Sequence, residues 1–173
     1  MPPTMVPVLS GAEIAQHVNT LARRISRDYA EKDLVVIGIL KGAFIFLADL
    51  VRELTIPVEI DFVRLASYGS ATSSSGHIQM TKEIELDIRG RHVLIVEDIV
   101  DSGLTIAYLL DHLKQFRPKS IRLCALIDKT ERREIKIATH YVGHVVDHGF
   151  LVGYGLDFDE KYRALPDIYH LER

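Results

Sequence analysis

The sequence predicts an α/β fold in which a central, mostly parallel, twisted sheet is flanked by helices, and three observations support this. Leu34–Leu40 and Val93–Val96 are unbroken apolar runs, as strands buried on both faces are. Each run leads through a glycine-bearing turn, at Lys41-Gly42 or Ser102-Gly103, into an apolar stripe at helical spacing. Strands alternating with helices in this way pair in parallel. At 173 residues the chain suits one domain, residues 1–173, with a sizeable core.

From the start, residues 1–9 are Pro- and Val-rich, with a short strand predicted at Val6–Leu9. Ser10 and Glu13 have the spacing of a capping box, and Ile14, Val18, Leu21, Ile25 and Tyr29 form one apolar helical stripe. Arg23, Arg24 and Arg27 read as the solvated face of that helix. After the strand at Leu34–Leu40, an apolar helix is expected over Ala43–Leu54, closed by Pro57, followed by a strand through Val58, Ile60 and Phe62.

Residues 67–79, from Ser67-Tyr68 to Gln79, are small and polar without hydrophobic period, and read as a lid loop with Gly69 and Gly76 as hinges. A strand over Met80–Leu86 and a turn at Asp87–Gly90 follow. The strand at Val93–Val96 is expected to end at Glu97-Asp98. A helix from about Gly103 then carries Ile106, Leu109, Leu110, Leu113 and Phe116. A strand from near Ile121 ends at Leu126, the run Glu131–Lys136 reads as a solvated turn, and short strands are expected at Tyr141–Val146 and Phe150–Val152. Residues 150–173 interleave aromatic and acidic positions, as a packed lobe does and a solvated tail does not.

Composition narrows the function. The net charge of −3 argues against a protein that coats nucleic acid. The single cysteine, Cys124, lies in the apolar run Leu123–Ile127 and reads as a buried structural thiol. No apolar run reaches membrane-spanning length and the N-terminus lacks a signal-peptide pattern, so the cytoplasm is the expected compartment. His140, His144 and His148 have helical i, i+4, i+8 spacing, but the valines and glycines among them favour strand and turn over a zinc-binding face.

The chemistry concentrates at Glu97, Asp98 and Asp101, followed by Ser102-Gly103-Leu104-Thr105 at a helix start. Backbone amides at such a start hold phosphate. Two acids directly after a buried strand, with a third three residues on, exceed what capping requires and ask for hydroxyls, a metal ion or a proton to move. Ligands on α/β sheets gather at the carboxyl ends of strands, which places Lys41-Gly42, Glu97–Thr105 and Asp128-Lys129 around one crevice.

At Val96–Thr105 the sequence closely resembles the phosphoribosyl pyrophosphate motif of type I phosphoribosyltransferases. Leu40-Lys41-Gly42, Ser67-Tyr68, Asp128-Lys129 and Phe150–Asp157 resemble, in order and spacing, the shorter bacterial form of the hypoxanthine-guanine branch. The resemblance implies that fold, with a small hood lobe from the chain ends. It also implies a purine-salvage enzyme that makes IMP or GMP and pyrophosphate from hypoxanthine or guanine and phosphoribosyl pyrophosphate. It brings Mg2+, a homodimer or homotetramer, and no nucleic-acid or membrane partner.

By the same resemblance, the donor would be held by Leu40, Lys41, Gly42, Ser67, Tyr68, Glu97, Asp98, Asp101, Ser102, Gly103, Leu104, Thr105 and Arg163. Glu97 and Asp98 would take the ribose hydroxyls, in part through magnesium, and Asp101 would be the catalytic acid/base facing purine N7. Lys129, Phe150, Leu151 and Asp157 would form the purine side: Lys129 donating to the 6-oxo group, Phe150 stacking, Leu151 meeting the 2-edge through its backbone. Asp157 would also ligate a second magnesium. The family often has a non-proline cis bond at Leu40-Lys41. The chain departs from the family at Leu104, where some relatives carry lysine, and at Leu151, which replaces a common valine. A non-catalytic RNA-binding regulator on the same fold, like some pyrimidine-operon attenuation proteins, is the competing class; the −3 charge and the presence of Lys129 with Phe150 count against it.

Overall fold

The structure, a computed structural model, describes residues 2–68 and 77–172, with Tyr68 described by its backbone alone. In chain order the elements are β1 (Thr4–Leu9), α1 (Gly11–Asp28), β2 (Leu34–Leu40), α2 (Phe44–Glu53), β3 (Glu59–Tyr68), β4 (His77–Lys82), β5 (His92–Val100), α3 (Leu104–Lys114), β6 (Ser120–Lys129), β7 (Tyr141–Val146), β8 (Leu151–Val152) and β9 (Ile168–Glu172). Six strands form the main sheet in the order β4-β3-β2-β5-β6-β7, parallel throughout except for β4, which returns antiparallel on β3. The chain ends form a second, antiparallel sheet, β1-β9-β8.

The apolar runs are continuous because both faces of the main sheet are covered. Along β2, Leu34 and Val36 pack with α1 and α2 through Ile14, Leu21, Phe46 and Leu50. The alternate residues Val35, Ile37 and Ile39 pack with Ile106, Leu109 and Leu113 of α3. Each such side chain taken fully from water contributes about 1.5–3 kcal/mol, so the two layers together pin the strand register. Helix α1 begins with the capping box expected from sequence: Glu13 N–H donates to Ser10 Oγ at 3.1 Å, and Ser10 N–H donates to Glu13 Oε2 at 2.8 Å.

Several boundaries differ from the expectations, each for a local reason. Strand β5 runs through Glu97 and Asp98 to Val100, because pairing with β6 continues at Glu97 with Ala125 and at Ile99 with Ile127. Strand β6 likewise extends to Lys129. Strand β4 stops at Lys82, since buried Asp61 takes the amides of Glu85 and Leu86 at 2.7 and 2.9 Å and turns the chain away. The β3–β4 pairing reaches Ser67 with Ile78 and Tyr68 with His77, so both ends of the expected loop are strand. The hinge positions Gly69 and Gly76 lie outside the described residues. Helix α3 ends at Lys114 and leaves Phe116 beyond it. Arg24 is not simply solvated, for it donates to His140 O at 3.4 Å and lies over the Tyr141 ring at 5.2 Å. The three histidines belong to strand and turn: His140 Nδ1 accepts from Leu123 N–H at 3.1 Å, and the His144 ring meets that of His17.

Candidate functional site

The carboxyl ends of β2, β5 and β6 open on one crevice of about 370 Å³. Its lining comprises the β2–α2 turn (Leu40, Lys41, Gly42), the acids of β5 and the loop after it (Glu97, Asp98, Asp101, Thr105), Lys129 and Arg132, and the tail residues Phe150, Leu151, Asp157 and Arg163. A smaller recess of about 110 Å³ adds Ser102 and Gly103 and shares Glu97, Ile99, Asp101 and Thr105 with the crevice. Among the sequence-derived candidates, Leu104 lines neither cavity. Ser67 sits in the β3–β4 ladder, and Asp128 forms an ion pair with Arg133. The Leu40–Lys41 peptide is cis.

Glu97 and Asp98 are each only 8% exposed, yet neither has an ion-pair partner among the described residues. Their oxygens are tied to the chain itself: Asp98 N–H donates to Glu97 Oε1 at 2.9 Å and Ile99 N–H to Asp98 Oδ1 at 2.7 Å. Burial, and then the neighbouring Asp98, push the Glu97 carboxyl well above its ordinary range. Two buried acids without a cation form a donor set suited to hydroxyls or a hard divalent ion, either of which relieves that penalty. Asp98 reaches its position because residue 42 lacks a side chain: a Cβ there would lie 2.1 Å from Asp98 Oδ2.

Helix α3 starts at left-handed Gly103, φ 88°, without a side-chain cap; Ser102 Oγ accepts from Leu104 N–H at 3.3 Å. The unpaired amides of such a start favour an anion. A Cβ at Gly103 would meet Ile135 O at 2.8 Å, so the segment after β6 lies directly against this turn. The run 131–136 opens on a turn and is exposed at every position but Arg133, as expected, yet it is also tied to this site. Arg132 lines the crevice, and Glu134 and Ile135 donate their amides to Ser102 O at 2.9 and 3.1 Å. Sequence reading passed over both arginines; the available signal was Ile135 alternating with Ile137, which packs against the α3-side core.

Lys129, 5% exposed, places Nζ 3.6 Å from Asp101 Oδ2 and 3.8 Å from Glu131 Oε2. The other Asp101 oxygen, Oδ1, is buried without a hydrogen-bond partner. Phe150 meets Phe158 edge-on at 5.7 Å. At the mouth, Glu160 accepts from Lys41 Nζ at 2.9 Å and from Arg163 Nη2 at 3.2 Å. Arg163 also pairs with Asp157 at 3.3 Å and donates to Gly155 O at 2.7 Å, while its Nε is buried without a partner. Of four such unsatisfied side-chain atoms among the described residues, two therefore belong to crevice residues, one acceptor and one donor. Native interiors rarely leave such groups unpaired, so both are open to a polar ligand.

Comparison with known proteins gives a consistent picture. A family model described as a phosphoribosyl transferase domain matches residues 8–159. The chain is 44% identical over 166 residues to a hypoxanthine-guanine phosphoribosyltransferase of Aquifex aeolicus, covering 95% of this chain and 93% of that protein. It is 40% identical over 167 residues to a hypoxanthine phosphoribosyltransferase of Escherichia coli, covering 95% and 94%. Among solved structures, a hypoxanthine-guanine phosphoribosyltransferase from Bacillus anthracis superposes with a TM-score of 0.90 at 43% identity, over 95% of this chain and 96% of that one.

Proposed function

The chain belongs to the phosphoribosyl transferase family, and from that membership we propose that it transfers the 5-phosphoribosyl group of phosphoribosyl pyrophosphate to N9 of hypoxanthine or guanine, giving IMP or GMP and pyrophosphate. One observation carries this reading. A single crevice joins two buried, cation-free acids to a lysine paired with the acid three residues beyond them, next to an aromatic ring.

In this reading Glu97 and Asp98 accept the ribose 2′- and 3′-hydroxyls, and the amides and hydroxyls of Ser102–Thr105 take the 5′-phosphate. Ser67 and Tyr68 approach the donor from the end of β3, and Leu40-Lys41-Gly42 meets its pyrophosphate. Lys41 and Arg163 exchange Glu160 for the pyrophosphate oxygens. Exposed ion pairs of this kind contribute about 0–1 kcal/mol, so the exchange costs little. On the base, Lys129 donates to the 6-oxo oxygen, Phe150 stacks, and the Leu151 backbone meets the 2-edge. As N9 attacks C1′ and pyrophosphate departs with the bonding electrons, Asp101 takes the proton from N7. Glu97 and Asp98 suit magnesium, which would offset charge on the leaving group. Asp157, whose oxygens now meet Arg163 and Glu160 N–H, would serve a second ion once Arg163 turns to the pyrophosphate. Backbone amides and fixed charges stabilise this reaction without a covalent nucleophile. The cytoplasmic location and the homodimeric or homotetrameric assembly carry over from the resemblance as part of the same reading.

The test is a panel of hypoxanthine, guanine, xanthine, adenine and uracil with donor and magnesium, following nucleotide formation. IMP and GMP are expected; no product with any base removes the enzyme reading, and product with uracil alone moves the specificity elsewhere. A second expected result concerns Gly42→Ala. The added methyl has to displace the Asp98 carboxylate, which costs about 1–3 kcal/mol of stability. It also misplaces the ribose acceptor, lowering kcat/KM for the donor about 100-fold. Thermal melting and steady-state kinetics of the variant check both effects; wild-type values for both would mean that Asp98 has room to move.

A further inference from the structure

Arg133 is absent from the crevice lining, yet its guanidinium is the most heavily bonded cation beneath it. Its Nε donates to Asp101 O at 2.7 Å, and its Nη2 donates to Val100 O at 3.2 Å and Lys129 O at 3.1 Å. Nη2 also pairs closely with the Asp128 carboxylate, which neutralises the charge locally. The main-chain carbonyls of Asp101 and Lys129 therefore hang on one planar group. These are the two residues whose side chains meet at 3.6 Å on the crevice side. The backbone on both sides of the contact reinforces it: Arg133 N–H donates to Thr130 O at 3.2 Å, and the next two amides hold Ser102 O.

We infer that Arg133 is a positioning residue that fixes the spacing between the proton acceptor Asp101 and the 6-oxo donor Lys129, so that one purine can meet both at once. The inference rests on the assignment of those two residues to the purine. A guanidinium suits the task because its rigid fork bonds several acceptors in one plane, which an ammonium on a flexible stem does not do. Asp101 lies in a loop beyond the end of β5 and Lys129 at the end of β6. The ladder holds Lys129 opposite Val146 but ends on the β5 side at Val100, which leaves the loop backbone at 101 without a strand partner. Arg133 supplies that missing restraint. A shift of about 1 Å between reacting groups costs on the order of 100-fold in rate.

The test compares wild type, Arg133→Ala and Arg133→Lys. For Arg133→Ala, kcat/KM for hypoxanthine should fall about 100-fold while KM for the donor stays within about threefold, a split that marks lost alignment and not lost donor binding. The preference for hypoxanthine over adenine should narrow in step. Added guanidinium ion should restore about tenfold of the loss, and sodium chloride at equal ionic strength should restore none. Arg133→Lys keeps a donor near Asp128 and should show the same split at smaller size, so it carries the test where the alanine variant does not fold. A loss shared equally by donor and purine overturns the inference, as does a defect that follows the thermal midpoint alone, or no defect. Wild type that makes nucleotide beside an unimpaired Arg133→Ala sinks the inference alone; wild type inert toward every base sinks the site reading and the inference with it.

Discussion

Asp101→Asn is expected to lower turnover with hypoxanthine by about 10²- to 10⁴-fold, the usual contribution of a positioned acid/base. The donor's KM should change little. The substitution keeps the shape of the side chain, so the loop held by its own carbonyl on Arg133 need not move. What it removes is the capacity of the buried, partnerless Oδ1 to take a proton from the purine. An amide in its place is at best a hydrogen-bond partner, and the proton on N7 has to leave through solvent. Loss of the Asp101 charge leaves Lys129 beside Glu131 at 3.8 Å, so the ammonium keeps a counter-ion and the 6-oxo donor survives. Steady-state kinetics with the donor varied at saturating hypoxanthine separate the two effects. Turnover equal to wild type would remove Asp101 from the chemistry and leave Glu97 and Asp98 as the acids assigned to the sugar.

The parts of this molecule that local sequence specifies were legible. The runs at β2 and β5 had the length and unbroken apolar character of strands covered on both faces, and Ser10 with Glu13 marked the start of α1 before any packing was known. The candidate crevice followed from the same strands, because parallel sheets bring their carboxyl ends together. The missed boundaries share one cause, in that a distant partner overrides the local signal. Glu97 and Asp98 stay in β5 because β6 continues to pair at Glu97 and Ile99, on either side of Asp98, although charge in an apolar strand suggests its end. Glu85 and Leu86 leave β4 because Asp61, 24 residues back from Glu85 and buried, captures their amides. Arg133 was the least visible residue of all. Three of its acceptors are main-chain carbonyls, which carry no side-chain signature, and it sits in a run whose charge alone suggests solvent. The Lys41–Glu160 contact spans 119 positions and joins two exposed side chains, so no periodicity could indicate it.

Lys129→Ala should lower kcat/KM for hypoxanthine and guanine by about 10- to 100-fold, the value of a charge-assisted hydrogen bond of about 1.5–3 kcal/mol. The donor's KM should be nearly unchanged. The effect exceeds that of an ordinary surface lysine because Lys129 is 5% exposed and bonds in a site where water competes poorly. Truncation has a second consequence, since Asp101 and Glu131 lose the cation between them. A purely structural lysine would therefore also produce a defect, and the alanine variant alone does not separate the two roles. Lys129→Gln does. An amide both donates and accepts, so it can still meet a 6-oxo group and can newly accept from a 6-amino group, which an ammonium cannot. Adenine use should rise in Lys129→Gln above the wild-type background while hypoxanthine use falls. If both bases and the donor decline together in both variants, Lys129 holds the backbone at the end of β6 and the choice of base lies with Phe150 and the 2-edge contact at Leu151.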